Sequence, residues 1–326
     1  MRLLLALAAL LAFALPAAAQ PWKADAGPEK VEILLGAWHD SERDRDVPYK
    51  IYYPATAKGP RPAVIFSHGL GGSREAAVFL GEHLASWGYI AVHIQHPGSD
   101  ASVWEGMTDR DEIVRALTAA TRDVDVIRNR FEDVPFALDQ LQLMNASGPL
   151  AGRIDMTRLG MSGHSFGAVG TLTAAGQTMR LAGTRFKEPR FRAAIAYSPN
   201  KPAGRTDPAH AYDEIAIPIL HFTGTEDMNP LNPSQPASDR QIPFRNIPAP
   251  GQYLVVLKGG DHGVFSGERR AGREVATDAA YHRLICEMST AFWDAYLMDD
   301  ASARAWLRDG GAAQELGDSA AYEMRN

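Results

Sequence analysis

Arg158-Leu159-Gly160-Met161-Ser162-Gly163-His164-Ser165-Phe166-Gly167 runs into the small, helix-compatible stretch Ala168 to Ala175, and this segment decides the fold. Arg158 to Ser162 reads as a buried strand, and a helix follows at once. Between them lies G-x-S-x-G at 163–167. In the strand-to-helix turn called a nucleophile elbow, the serine occupies a strained position, and glycines flank it because side chains there would collide with the neighbouring strand and helix. Such a turn thrusts the Ser165 hydroxyl out of the sheet.

Outward from this point, short apolar and β-branched runs alternate with longer stretches of helical period, which predicts an α/β fold with a mostly parallel central sheet of about eight strands and helices on both faces. The strands are expected at Val31–Leu35, Tyr49–Tyr53, Ala63–Ser67, Tyr89–Ile94, Arg158–Ser162, Ala193–Tyr197, Ile217–Phe222 and Tyr253–Leu257. The charged connection His39 to Asp46 has no room for a crossover helix, so the first two form an antiparallel hairpin at one edge. Two segments exceed the minimal pattern. Residues 99–145 carry two amphipathic stretches, with Ile113, Leu117 and Val124 at helical spacing. Residues 229–251 hold six prolines and read as an ordered surface loop without regular structure.

The chain has 326 residues, 45% of them hydrophobic and 22% charged, with a net charge of -6. Disorder is excluded, and so is the basic surface that a nucleic-acid backbone requires. Cys286 is the single cysteine, so neither a disulfide nor a thiolate metal site can staple the fold. Met1 and Arg2 precede the apolar run Leu3 to Leu15, Pro16 and three alanines. That is the pattern of a secretory signal cut near Ala19 and too short for a membrane span. No cysteine follows for lipidation. The expectation is an exported chain, periplasmic or extracellular, with no stable membrane anchor: a signal peptide over 1–19, then a single domain over 20–326 with cover segments near 99–145 and 229–251. The oligomeric state is not encoded legibly.

A serine hydroxyl needs a base to take its proton and a carboxylate to orient that base. In this architecture the acid and then the histidine follow the serine. His221 lies inside an apolar strand, His282 in a helix expected over Val275–Leu297, and His210 precedes any suitable acid. His262, in Gly259-Gly260-Asp261-His262-Gly263 directly after Tyr253–Leu257, is therefore the candidate base. Asp227 closes Gly224-Thr225-Glu226-Asp227 after Ile217–Phe222 and is the candidate acid, with Glu226 as the alternative; Asp261 shapes the histidine loop. The oxyanion of acyl transfer needs two backbone donors. Phe166 supplies one, and Leu70, in the glycine-rich loop Ser67 to Ser73, the other. His68 has no second ligand at i+3 to i+5, and His93 with His96 lacks a third, so no metal and no cofactor are expected. Trp104 and Met107 in the first cover segment, and Leu231, Ile242 and Phe244 in the second, are expected to border an acyl pocket, since ligands of open α/β sheets bind at the carboxyl ends of strands.

Phe66-Ser67-His68-Gly69-Leu70-Gly71, Leu84-Ala85-Ser86-Trp87-Gly88-Tyr89, Gly163 to Gly167 and Gly259 to Gly267 together resemble the plasma-type platelet-activating factor acetylhydrolases and their bacterial relatives, often labelled predicted dienelactone hydrolases. The resemblance runs from Pro48 to Leu297 and implies an α/β-hydrolase with a serine nucleophile and no cofactor. True dienelactone hydrolases carry cysteine where Ser165 stands. The plasma-type enzymes place the acid one strand earlier, where this chain has Ser198. The reading is an exported serine esterase acting on small-molecule, short-chain esters. The alternatives are a polyester or cutin-type or phospholipid-type esterase and, from another class, a non-catalytic binding module on a hydrolase scaffold.

Overall fold

The computed structural model describes residues 20–203, 206–268 and 275–325. The expected signal segment, residues 1–19, lies outside them. Among the described residues nine strands form one sheet: β1 (Val31–Asp40), β2 (Arg45–Pro54), β3 (Arg61–Ser67), β4 (Ile90–Ile94), β5 (Ile154–His164), β6 (Phe191–Tyr197), β7 (Ile219–Glu226), β8 (Gln252–Asp261) and β9 (Ala320–Arg325). Their spatial order is β1-β2-β4-β3-β5-β6-β7-β8-β9. From β4 to β8 every pairing is parallel, and the β1–β2 hairpin and β9 close the two edges antiparallel. This is the α/β-hydrolase fold, with one strand more than the eight expected. The added β9 reads Ala-Ala-Tyr-Glu-Met-Arg, half-buried or exposed throughout, because an edge strand covers little core.

Helices α1 (Val78–Ser86), α2 (Arg110–Ala120), α3 (Val124–Ala146), α4 (Phe166–Ala175), α5 (Ile242–Asn246), α6 (Asp278–Leu297), α7 (Ala301–Arg308) and α8 (Gly311–Leu316) cover the sheet. The two-residue period of a strand divides the core between the faces. In β3, Val64 and Phe66 pack with α1 and α6, while Ala63 and Ile65 pack with Val134, Leu138 and Leu141 of α3. On the first face Phe292 and Trp293 of α6 are fully buried, each worth about 2–3 kcal/mol by area. Trp293 lies flush on Gly160, where an added Cβ would come within 2.7 Å of its ring. No helix among the described residues is long and apolar enough to cross a membrane.

Both cover segments differ from their expected form in one respect. In the first, α2 and α3 start at aspartate caps, Asp109 accepting from the Glu112 amide and Asp123 from those of Asp125 and Val126. The cap at Asp123 breaks the helical phase, so Val124 falls in the first turn of a new helix and is exposed, while Ile113 is buried. In the second, the prolines do not preclude helix. A 3-10 turn at Ala237–Gln241 leads into α5, whose Pro243 occupies the first turn, where no amide hydrogen is missed. Arg240, Phe244 and Ile247 are buried, so this stretch packs on the sheet rather than looping over the surface.

Candidate active site

β5 ends at His164, and Ser165 turns the chain with φ 55° and ψ -111° before α4 begins at Phe166. A Cβ on Gly167 would fall 1.9 Å from the Ser67 carbonyl oxygen, and one on Gly163 2.5 Å from the Gly167 backbone, so both positions admit only glycine. The Ser165 amide donates to the Tyr197 carbonyl at 2.9 Å and fastens the turn to β6. From this elbow the Ser165 hydroxyl stands 3.0 Å from His262 Nε2.

His262 follows the last residue of β8 and Asp227 the last of β7, so adjacent parallel strands deliver them side by side. His262 Nδ1 lies 2.7 Å from Asp227 Oδ1, with Asp227 wholly buried and the imidazole side chain 18% exposed. Burial opposes the charge of Asp227, but His262, the Arg240 guanidinium and Ser198 outweigh it and hold the carboxyl below its usual range. Thr223 donates to its other oxygen at 2.8 Å. Glu226, the alternative acid, is exposed, whereas Asp261 accepts from the Gly263 and Val264 amides and folds the loop behind His262. His164 Nε2 donates to the His262 carbonyl at 3.0 Å, and burial pushes its pKa far down, which keeps that ring neutral beside His262.

Phe166 is the first residue of α4, so its amide has no intrahelical acceptor. Leu70 follows β3 in a turn where the Gly72 amide donates to the Gly69 carbonyl and the Gly71 amide to the Ser99 carbonyl. A Cβ on Gly69 would sit 3.5 Å from Ser165 Cβ, which shows how closely this loop overlies the serine. His68 Nδ1 donates to the Gly69 carbonyl and its Nε2 accepts from the His96 amide. His93 bonds the Ala76 carbonyl and stacks on Phe66, and His96 bonds Ser67 and Asp133. Each histidine thus serves the backbone or a neighbouring side chain.

Of the residues expected to border an acyl pocket, Trp104 is 36% exposed and donates from Nε1 to the Gly71 carbonyl, beside the Leu70 loop. Met107 is half-buried in the turn that follows, and Leu231 and Ile242 are half-buried in the second segment. Phe244 is not a pocket residue. It is wholly buried against Leu254 and Val256 of β8 and meets the ring of His221, because α5 turns that face toward the sheet.

Two further residues at the site hold roles that sequence reasoning does not assign. Ser198, directly after β6, adopts φ 55° and donates to Asp227 Oδ1 at 2.8 Å, its oxygen lying 2.9 Å from His262 Nδ1. Arg240, buried, bonds the carbonyls of Asp227 and Ser198, contacts Asp227 Oδ1 at 3.4 Å and comes within 3.2 Å of His262 Nδ1. With that nitrogen protonated toward Asp227, Arg240 acts there as charge and not as a donor. A serine at a strand end was visible as a signal; an arginine among prolines was not.

A family profile described as PET hydrolase-like matches residues 112–286, more than half of the chain. The chain belongs to the PET hydrolase-like family. A second profile, platelet-activating factor acetylhydrolase, isoform II, matches residues 44–114. Among curated proteins the chain is similar to a cutinase (est1) of Thermobifida alba, 28% identical over 199 residues that cover 60% of this chain and 50% of the relative. It is also similar to a platelet-activating factor acetylhydrolase of Cavia porcellus, 25% identical over 300 residues, 80% of this chain and 63% of that one. Cutinase 2 of Thermobifida cellulosilytica is 30% identical over 149 residues, 46% of this chain and 43% of its own. The chain thus spans about half the length of the cutinases it matches.

Proposed function

We propose that this chain is an exported serine carboxylic-ester hydrolase acting on short-chain esters through an acyl-enzyme. The observation that carries the reading is the hydrogen-bonded line from Ser165 through His262 to Asp227, at 3.0 and 2.7 Å, on a strained elbow. Ser165 Oγ attacks the ester carbonyl while His262 Nε2 takes its proton, and Asp227 fixes the imidazole tautomer and stabilises the imidazolium that forms. His262 returns the proton to the departing alkoxide. Water then attacks the acyl-enzyme with His262 again as base, and Ser165 leaves, taking that proton back from His262 as the acid is released. The amides of Leu70 and Phe166 face the oxyanion in both steps, and one such donor is worth about 10²–10³ in rate. Names of relatives as cutinases and an acetylhydrolase support ester chemistry.

A second reading, hydrolysis of a polyester surface, is favoured by the family match and by the exposed Met228 and Trp104 on loops beside Asp227 and Leu70. A panel of esters of rising acyl length, with a polyester film alongside, tests both. Short-chain hydrolysis predicts rates that fall steeply from acetyl or butyryl onward. Rising rates on dodecanoyl esters, or release of soluble products from the film, would replace it with the polymer reading. No turnover at all would favour a non-catalytic binding module. N-terminal sequencing of the secreted chain, expected to begin at Gln20, checks export.

A further inference from the structure

Arg130 of α3 is 1% exposed, yet its described hydrogen bonds all go to neutral oxygens. Nη1 donates to Ser99 Oγ at 2.8 Å, and Nη2 to Ser67 Oγ at 3.0 Å and to the His68 carbonyl. The guanidinium carbon lies 4.6 Å from the centroid of the Phe166 ring. Burial pushes its pKa down, as for a cation with no carboxylate bonded to it.

These contacts bracket one peptide plane. The Leu70 amide belongs to the Gly69–Leu70 peptide. On one side the preceding peptide presents the His68 carbonyl, which Arg130 holds. On the other, the Gly71 amide donates to the carbonyl of Ser99, whose hydroxyl Arg130 also holds. The same guanidinium carries the ring of Phe166, the residue that supplies the other amide. We propose that Arg130 is a positioning residue that sets both oxyanion donors, Leu70 and Phe166, in one arrangement through a single rigid fork. This rests on the ester-hydrolase reading.

The arginine is itself anchored from behind. Ser67 Oγ, accepting from Arg130, donates to His96 Nε2 at 2.9 Å, and His96 Nδ1 donates to Asp133 Oδ2 at 2.9 Å. Arg43 and Arg45 hold Asp133 at 2.9 and 3.1 Å. Burial pushes the pKa of His96 far down, so it stays neutral and the direction of every bond in the chain is set. Lysine could not replace Arg130, because a point charge on a flexible stem lacks the planar fork that reaches two loops and stacks on a ring.

The test is kinetic and uses the mature chain. For Arg130→Met and Arg130→Lys, kcat on a short-chain ester should fall about 10²-fold, the cost of one misplaced oxyanion donor, with KM within about threefold of wild type. Affinity for a short alkylboronic acid, whose tetrahedral adduct on Ser165 places an oxygen in the oxyanion hole, should fall by the same factor as kcat/KM. Lysine should not rescue. Should either variant fail to fold, Ser99→Ala and Phe166→Leu, which keep both amides, should each lower kcat about tenfold with KM unmoved. Folded variants with wild-type kcat, or a loss of kcat that boronate affinity does not follow, would overturn the role of Arg130. Ser165→Ala with undiminished hydrolysis would instead overturn the parent reading.

Discussion

Among the described residues stand two serine-histidine-aspartate lines of nearly equal geometry. Ser165, His262 and Asp227 are joined at 3.0 and 2.7 Å, and Ser67, His96 and Asp133 at 2.9 and 2.9 Å. What separates them is their surroundings. Ser165 sits on a strained turn at the carboxyl edge of the sheet, half-buried, between two candidate oxyanion donors. Ser67 ends a buried strand, is 1% exposed, and already accepts a hydrogen bond from Arg130. The comparison teaches that the three residues and their spacing define a proton path but not a reaction. On the proposed reading, access, an oxyanion hole and an uncommitted oxygen would make the Ser165 line reactive, and their absence would make the Ser67 line a brace.

The sharpest way to break this distinction is to delete each serine oxygen. Ser165→Ala should lower kcat by about 10⁴–10⁶ while the fold survives, since the acyl-enzyme can no longer form. Ser67→Ala should leave kcat within about tenfold of wild type and instead lower stability by about 1–3 kcal/mol, because Arg130 and His96 lose a buried partner. Ester kinetics beside denaturant melts separate the two outcomes. A larger kinetic loss in Ser67→Ala would merge the two lines.

The aspartates repeat the contrast with a smaller kinetic effect and a larger one on stability. Asp227→Asn should cost about 10³–10⁴ in kcat, because the amide favours the wrong imidazole tautomer. Glu226→Gln, on an exposed side chain, should change kcat less than about threefold, as ordinary surface changes do. Asp133→Asn removes the anion facing Arg43, Arg45 and His96, so its effect belongs to the melt, at about 3–5 kcal/mol.

Acid should weaken the fold through its buried histidines. Burial holds the pKa of six histidines, His68, His83, His93, His96, His164 and His221, below the ordinary 6.5. The native chain keeps them neutral where the unfolded chain takes up protons, so stability present above pH 6.5 is lost as pH falls below it. Asp133 and Glu287, raised to about 6 and about 7, and Glu268, also raised, work in the opposite sense by binding protons in the native state. The six histidines outnumber the three raised carboxyls, so the unfolded state binds more protons below pH 6.5 and stability falls as the pH drops. Melts from pH 7 to 5 should show it. A flat profile would mean that these imidazoles charge within the fold.

Much of this arrangement is legible in the chain because strand ends carry the chemistry. Ser165, Asp227 and His262 each follow an apolar run at once, and parallel strands bring their carboxyl ends to one edge. The same local logic fails where a partner lies far away in sequence. Nothing around Arg130 or Arg240 marks them as buried cations, since Ser67, His68 and Phe166, or Ser198 and His262, supply what holds them. Phe244 misleads for a related reason: its prolines suggest a loop, while α5 turns the ring onto β8. Trp104→Ala should therefore alter the acyl-length profile, whereas Phe244→Ala should leave the profile alone and cost about 3–5 kcal/mol of stability.

The most direct test of the central claim is covalent labelling of the folded, mature chain with a small alkyl fluorophosphonate, followed by intact mass and peptide mapping. One adduct is expected, on Ser165. It should vanish in Ser165→Ala and persist in Ser67→Ala. An adduct on Ser67, or labelling that survives Ser165→Ala, would contradict the assignment of the open line as the reactive one.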